Sequence, residues 1–335
     1  MLSKFDFTII IVSAIVSGFL CRLVISWATR FKVYAREGSR TLHAGSVPRA
    51  GGTAIVLTVI AGQAVWLFNN SSVMVDPGKV WVCFAIAVSI LGFIDDVRDL
   101  PAIPRLVIQI FLSSGLVATC VADIDLIYSV SFWVFVTLVV WGINAANFMD
   151  GADGMLGIQS MLIAVSLVLF LPTLGDGFTE LTLLCLCGAC LGFLFWNWGG
   201  AKLFLGDTGS YFIGFMLVAP PIVVLKDLRD LLAVGLLYLP LYLDAAFTLL
   251  RRLINRQRIW EPHREHLYQL MIRSGLTHAH TSAIYGGILV LGMIPCAYLA
   301  QIYPTVAIPL FISMCVIVFA GWYCGVRYFS AKVKY

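Results

Sequence analysis

The sequence has 335 residues, of which 60% are apolar and only 12% charged, with 22 Lys and Arg against 18 Asp and Glu, and its mean hydropathy is +0.94. Too few polar side chains are present to cover a water-facing surface, which excludes an ordinary soluble domain. What remains is an all-α, polytopic membrane protein in contact with a lipid bilayer, read as a single domain over residues 1–335, with no nucleic-acid partner indicated.

Apolar runs of span length recur along the chain, and eleven are counted: 7–29, 52–68, 80–94, 104–120, 131–146, 156–174, 181–196, 209–225, 231–250, 282–302 and 305–326. A helix closes its own backbone hydrogen bonds and is therefore tolerated in lipid, and no alternating pattern for a barrel is seen. The first run is too long for the apolar part of a signal peptide and is read as a retained span, with Arg22 near its end able to snorkel. The nine cysteines fall almost entirely within apolar runs. Cys185, Cys187 and Cys190 have no His, acid or Gly turn beside them, so core packing is preferred to a disulfide or metal site.

Basic residues set the orientation. With the N-terminus outside and the C-terminus inside, 17 Lys and Arg fall on inner segments, and 4 (Lys4, Lys79, Lys226, Arg229) on outer ones. All polar clusters then share the inner, cytoplasmic face, which predicts an active-site cleft there.

Ile94-Asp95-Asp96-Val97-Arg98-Asp99 closes the third run. Adjacent carboxylates repel unless a cation relieves them, and oxygen ligands point to Mg²⁺, with Mn²⁺ also suitable. Asn144, Asn147, Asp150 and Asp153 lie where the fifth run closes and the sixth opens, with Gly151 and Gly154 permitting close approach to a ligand. The Asn amides, one helical turn apart, can read a base edge or a sugar hydroxyl, and the acids can take a metal, base or ribose. An Asx-rich turn is the plainer alternative.

Phe204-Leu-Gly206-Asp207-Thr208-Gly209-Ser210 opens the eighth run. Free amides and hydroxyls at a helix start suit a phosphate, with Asp207 reconciled to it by a bridging metal; Asp207 or Thr208 can also cap the helix. His43-Ala-Gly45-Ser-Val-Pro48-Arg49-Ala-Gly51-Gly52 places Arg49 at a helix entry, where it can meet a phosphate. Pro262-His263-Arg264-Glu265-His266 follows a basic run; His263 and His266, spaced i, i+3, share a face if helical and with Arg264 suit diphosphate oxygens. Zinc lacks a third soft ligand there. Asp244 is a supporting acid, or a packing acid paired with a neighbouring Arg. Together these residues suit phosphoryl transfer between a soluble nucleotide and a partner in the membrane.

On these motifs the chain resembles the polyprenyl-phosphate N-acetylhexosamine-1-phosphate transferases. The segments that carry the resemblance are 47–52, 95–99, 144–154, 204–210 and 263–266. It implies transfer of an N-acetylhexosamine-1-phosphate from a UDP-sugar to undecaprenyl phosphate, with Mg²⁺ and release of UMP, at a bacterial inner membrane. It further implies that Asp207 is a metal ligand, that Asp95 and Asp96 stand at the catalytic and lipid-phosphate site with Asp95 a base or metal neighbour, and that Asn144, Asn147, Asp150 and Asp153 line the nucleotide site. His263, Arg264 and His266 would hold the donor, and Arg49, Asp99, Thr208 and Ser210 phosphate or lipid. Because the lipid phosphate is already largely ionised, direct attack is expected rather than a phospho-enzyme. Where some relatives have clustered histidines, this loop reads His263-Arg-Glu-His266-Leu-Tyr-Gln269, which resembles the branch that initiates O-antigen or capsule on GlcNAc, or on 6-deoxy sugars such as FucNAc or QuiNAc. A homodimer is compatible with this reading. The competing class is a transporter or flippase for nucleotide-sugar or lipid-linked sugar, but the acids sit at helix ends rather than mid-span and no internal repeat is found.

Overall fold

The computed structural model describes residues 3–31, 47–70, 80–120, 130–171, 177–224, 227–261 and 263–333. His43, Gly45 and Ser46 of the first motif, Pro262 of the last, and Lys32, Arg36, Arg40, Lys79, Lys226 and Lys334 lie outside the described residues.

Within the described residues each predicted apolar run coincides with helix to within a residue at its ends, while 172–174 of the sixth run and 225 of the eighth lie outside those residues. In chain order the helices are α1 (Lys4–Phe31), α2 (Gly51–Asn69), α3 (Trp81–Arg98), α4 (Ala102–Cys120), α5 (Val130–Met149), α6 (Met155–Phe170), α7 (Gly177–Asn197), α8 (Gly206–Val224) and α9 (Leu228–Ile254). After them come a short α10 (Leu267–Arg273), then α11 (His278–Ile288) and α12 (Ile294–Ile302) joined by a π-helical turn, and α13 (Pro304–Lys332). Among the described residues no strand occurs, and eight helices, counting His278–Ile302 as one, are long and apolar enough to cross a membrane. The chain is an all-α, multi-pass membrane protein.

The helices are layered by how apolar they are on every side. α1 and α13 turn Phe5, Ile15, Phe19, Ile312, Val316 and Ile317 outward, as helices at a lipid boundary do. α7 and α8 are enclosed, with Phe178, Leu186, Phe193, Phe212, Phe215 and Met216 in the core. α8 stands against α2, α3 and α5, while α9 joins that group to α12 and α13.

Small residues let α8 approach three neighbours at backbone distance. A Cβ on Gly52 of α2 would lie 2.2 Å from the backbone N and Cα of Gly209. One on Gly92 of α3 would lie 2.3 Å from the carbonyl oxygen of Asp207, and one on Gly214 would lie 2.5 Å from the carbonyl oxygen of Gly142 in α5. Helices in lipid gain their association from such close packing rather than from hydrophobic collapse. α1 is seated on α7 by the same device, since a Cβ on Gly192 would meet the Ala14 carbonyl at 2.2 Å. Because backbone cannot yield as a side chain can, Gly52→Ala is expected to destabilise the protein by about 1–3 kcal/mol, the usual range for overpacking. Gly321→Ala, where a Cβ meets nothing within 4 Å, should be silent, and thermal melting in detergent compares the two.

Candidate active site

Four chain segments meet at one end of α8. The entry loop reaches it by strand-like pairing: the N–H of Phe204 donates to the Pro48 carbonyl at 2.9 Å, and those of Gly51 and Gly52 donate to the carbonyls of Phe204 and Leu205 at 2.9 and 2.8 Å. A parallel bridge at Arg49 and Phe204 sits in this pairing. It carries Arg49 into electrostatic range of Asp96, Asp150 and Asp207. The last turn of α3 brings Asp95 and Asp96, the end of α5 brings Asn144 and Asn147, and the following turn brings Asp150.

Asp96 caps α8. Its carboxylate accepts from the N–H groups of Asp207 and Thr208 at 2.8 and 2.9 Å and from the Thr208 hydroxyl at 2.8 Å. Gly206 makes room for it, with φ of +78° and a Cβ position only 2.8 Å from the Asp96 carboxylate. The free amides expected to bind a phosphate are therefore engaged by a carboxylate of the chain itself, which the positive end of the helix holds equally well.

Asp95 is committed differently. It is 2% exposed, with one oxygen accepting from the Leu100 N–H at 2.8 Å and the other from Arg105 at 2.6 Å and the Tyr211 hydroxyl at 2.7 Å. Both oxygens of this expected base or metal neighbour are thus taken by an ion pair and its neighbours, because the helix turns adjacent residues to different sides. Arg105 and Tyr211 were not singled out in the sequence; a basic residue ten positions after a buried acid was the signal.

Asn147 orients Asp207, donating to it at 2.6 Å and to the Ser210 hydroxyl at 3.1 Å. The second oxygen of Asp207 accepts nothing from the described residues. Asp207 precedes the apolar run, and burial, then the negative charges of Asp96 and Asp95, push its pKa up to about 7. Asp150, in the turn after α5, is raised well above the carboxylate range by burial, against the pull of Arg49 and with further push from Asp207, Asp96 and Asp153. The Asp150 side chain accepts no hydrogen bond from the described residues.

The remaining predicted residues divide. Asn144 donates to Gln109 of α4 at 2.6 Å and to the Val140 carbonyl at 2.8 Å, one turn deeper than Asn147. Asp153 is turned into the fold, accepting from the Ala201 N–H at 3.0 Å and lying 3.7 Å from His278. Asp99 ends α3 in the left-handed region, φ 48°, and is exposed. The His263 and His266 rings lie 4.9 Å apart, yet not on a helix, since α10 begins at Leu267. His266 is 2% exposed and stacked between Phe148 and Tyr268, at 5.8 and 5.9 Å. Burial lowers its pKa, so it is a neutral ring at pH 7. Arg264 is half-buried beside it. Glu265 draws off the basic run, pairing with Arg251 at 3.0 Å and with Arg252. Asp244 pairs with no Arg in the described structure; it accepts from the N–H groups of Leu267 and Tyr268, the Thr248 and Tyr285 hydroxyls and the Trp322 indole.

Among the described residues no group of three or more His, Cys, Asp or Glu is placed to hold a metal ion. Asp207 and Asp150 do leave carboxylate oxygens without hydrogen bonds beside a surplus of negative charge. That donor set fits Mg²⁺, which keeps water and takes one or two carboxylates plus substrate phosphates, and does not fit a closed protein cage. Because the Asp207 and Thr208 amides have no other acceptor in this arrangement, Asp96→Ala is expected to lower stability by about 1–3 kcal/mol. Asp96→Asn should fall short of that loss in the same thermal melt.

The model of glycosyl transferase family 4 matches residues 79–225, which contain α3 to α8 and hence Asp95, Asp96, Asn147, Asp150 and Asp207. A decaprenyl-phosphate N-acetylglucosaminephosphotransferase of Mycobacterium leprae is 30% identical, over 79% of this chain and 76% of the relative. A probable undecaprenyl-phosphate N-acetylglucosaminyl 1-phosphate transferase of Bacillus subtilis is 28% identical, over 80% and 77%. A phospho-N-acetylmuramoyl-pentapeptide-transferase of Pelotomaculum thermopropionicum is 30% identical, over 59% and 68%.

Proposed function

This chain belongs to the polyprenyl-phosphate N-acetylhexosamine-1-phosphate transferases, and on that premise we propose that it moves an N-acetylhexosamine-1-phosphate from a UDP-sugar to undecaprenyl phosphate. An oxygen of the lipid phosphate attacks the sugar-bearing phosphorus of the donor. The anhydride bond between the two donor phosphorus atoms breaks, and UMP leaves. The observation that carries this is the meeting of Arg49, Asp150 and Asp207 around the capped end of α8, a cluster with more negative charge than the protein neutralises.

Asp207, held in place by Asn147, and Asp150 would hold Mg²⁺, in place of the pair Asp207 and Asp95 anticipated from the sequence. Bound there, the ion would offset charge on the diphosphate. Arg49 pairs with a phosphate oxygen from the exposed side of the cleft. Asp96, with Thr208, fixes the first turn of α8, and Ser210 shares the Asn147 amide; they place Asp207 rather than bind phosphate themselves. Arg105 and Tyr211 hold Asp95 as a support. Asp99, exposed where α3 ends, faces the lipid phosphate. Asn144 and Asp153 set the walls of the donor cleft from behind, while His263, Arg264 and the neutral His266 form its far wall, with ring faces and hydrogen bonds for the sugar or uracil. The lipid phosphate is ionised at neutral pH, so attack needs no general base.

The cleft faces the cytoplasm of a bacterial plasma membrane in this proposal, as the Lys and Arg distribution supports. The product starts a cell-surface polysaccharide, an O-antigen in the reading suggested by the His263 loop. UDP-GlcNAc is the first donor to test, because the relatives are named for N-acetylglucosaminyl transfer, and UDP-linked 6-deoxy N-acetylhexosamines are the second. Purified protein given undecaprenyl phosphate, Mg²⁺ and this donor panel is expected to release UMP only when lipid and metal are both present. Asp207→Asn should cut that release by about a hundredfold or more, the scale of losing a preorganised charge at the transferring phosphorus, with melting behaviour retained. Release without lipid, or full activity of the Asn variant, would overturn these assignments. Uptake of the sugar nucleotide into liposomes without UMP release would favour the transporter class.

A further inference from the structure

Nothing in the proposed chemistry uses Tyr268, yet it is the most direct link between the C-terminal loop and the carboxylate cluster. It is wholly buried. Its hydroxyl donates to the Phe148 carbonyl at 2.8 Å, two residues before Asp150. The same oxygen abuts Gly151: a Cβ there would stand 2.2 Å from the Tyr268 hydroxyl oxygen, but 3.1 and 3.3 Å from the nearest ring carbons. The hydroxyl therefore touches the chain on both sides of Asp150.

The other end of Tyr268 is equally fixed. Its N–H and that of Leu267 donate to Asp244 at 3.4 and 2.9 Å, anchoring the start of α10. Asp244 is 3% exposed and is held in turn by the Tyr285 hydroxyl at 2.7 Å and the Trp322 indole at 3.1 Å. The Tyr268 ring lies nearly parallel to His266, at 17°, and His266 lies over Phe148 at 27°. A rigid column thus runs from the α9–α11–α13 contact, through α10, to the turn that bears Asp150.

We infer that Tyr268 is a positioning residue, whose hydroxyl against Gly151 and the Phe148 carbonyl sets where Asp150 stands relative to Asp207. Gly151 is required because the hydroxyl occupies the space of its missing side chain. The inference rests on the proposed role of Asp150 for its effect on turnover, but the contact itself does not depend on the reaction.

The test is a double-mutant cycle of Tyr268→Phe, Gly151→Ala and both together in the full-length protein, read by two measures. One is UMP release with kcat and donor KM resolved; the other is backbone hydrogen exchange over residues 148–154. Tyr268→Phe is expected to lower kcat about fivefold, the fold-change equivalent to one neutral hydrogen bond, and to speed exchange in this turn while leaving α7 unchanged. Gly151→Ala should lose about tenfold or more, because the added carbon collides with the hydroxyl. The double variant should recover to within about twofold of Tyr268→Phe, since removing the oxygen leaves only ring carbons that can give by a few tenths of an ångström. Losses that simply multiply, or a wild-type kcat and exchange pattern in Tyr268→Phe, would overturn the inference. If Gly151→Ala does not fold, exchange and kcat of Tyr268→Phe decide it. If the wild-type protein transfers no sugar phosphate, the reaction is wrong, and unchanged exchange in Tyr268→Phe would overturn the positioning role separately.

Discussion

A half-buried carboxylate from α3 set against the first turn of α8 is the interaction on which the site depends. Two backbone N–H groups and a hydroxyl converge on Asp96, at the end of the helix where the peptide dipoles favour negative charge. Glycine contacts with α2, α3 and α5 hold α8 close enough for this to happen. Once Asp96 is fixed, Asp207, the acid of that first turn, has to face a cleft that already holds negative charge. Desolvation and like charge then work together on it, and the protein answers with little more than Arg49 and the Asn147 amide. The imbalance suits a divalent cation arriving with a phosphorylated substrate.

A fully buried acid plays the matching part in the C-terminal half. Asp244 anchors the start of α10 as Asp96 anchors α8, but its other partners are a tyrosine, a tryptophan and a threonine rather than a cationic neighbour. Five donors converge on it, and none of them is a charged side chain. The contrast separates an acid that organises structure from acids that are left in electrostatic tension, which is where chemistry is expected.

How far the sequence could be read follows the range of the forces involved. Span-length apolar runs are local patterns, and within the described residues they coincide with helices. The Gly206–Ser210 motif was legible as a helix start, because its small and polar residues act on their own turn. What lies in front of that turn was not legible: Asp96 is 111 positions away in the chain. Asp95 and Asp96 are adjacent in sequence but project about 100° apart on a helix, and so meet Arg105 in one case and α8 in the other. Asn144 and Asn147 do share a side of α5, yet α4 supplies Gln109 to the first. The His263 and His266 pair would share a face on a helix and is brought together by a loop instead, with His266 buried between Phe148 and Tyr268.

The wiring of Asp244 also has a consequence for biosynthesis. Chains are made from the N-terminus, and their parts fold as they emerge. Asp244 enters with α9, where only Thr248 donates to it, and its other donors arrive later, on α10, α11 and finally Trp322 of α13. Until that last helix is in place the acid lacks its full complement of partners, and a buried acid short of donors is costly in lipid. The wall of the cleft that α10 supports is therefore completed only as synthesis ends, so a nascent chain carries the carboxylates of the α8 end well before it can enclose them.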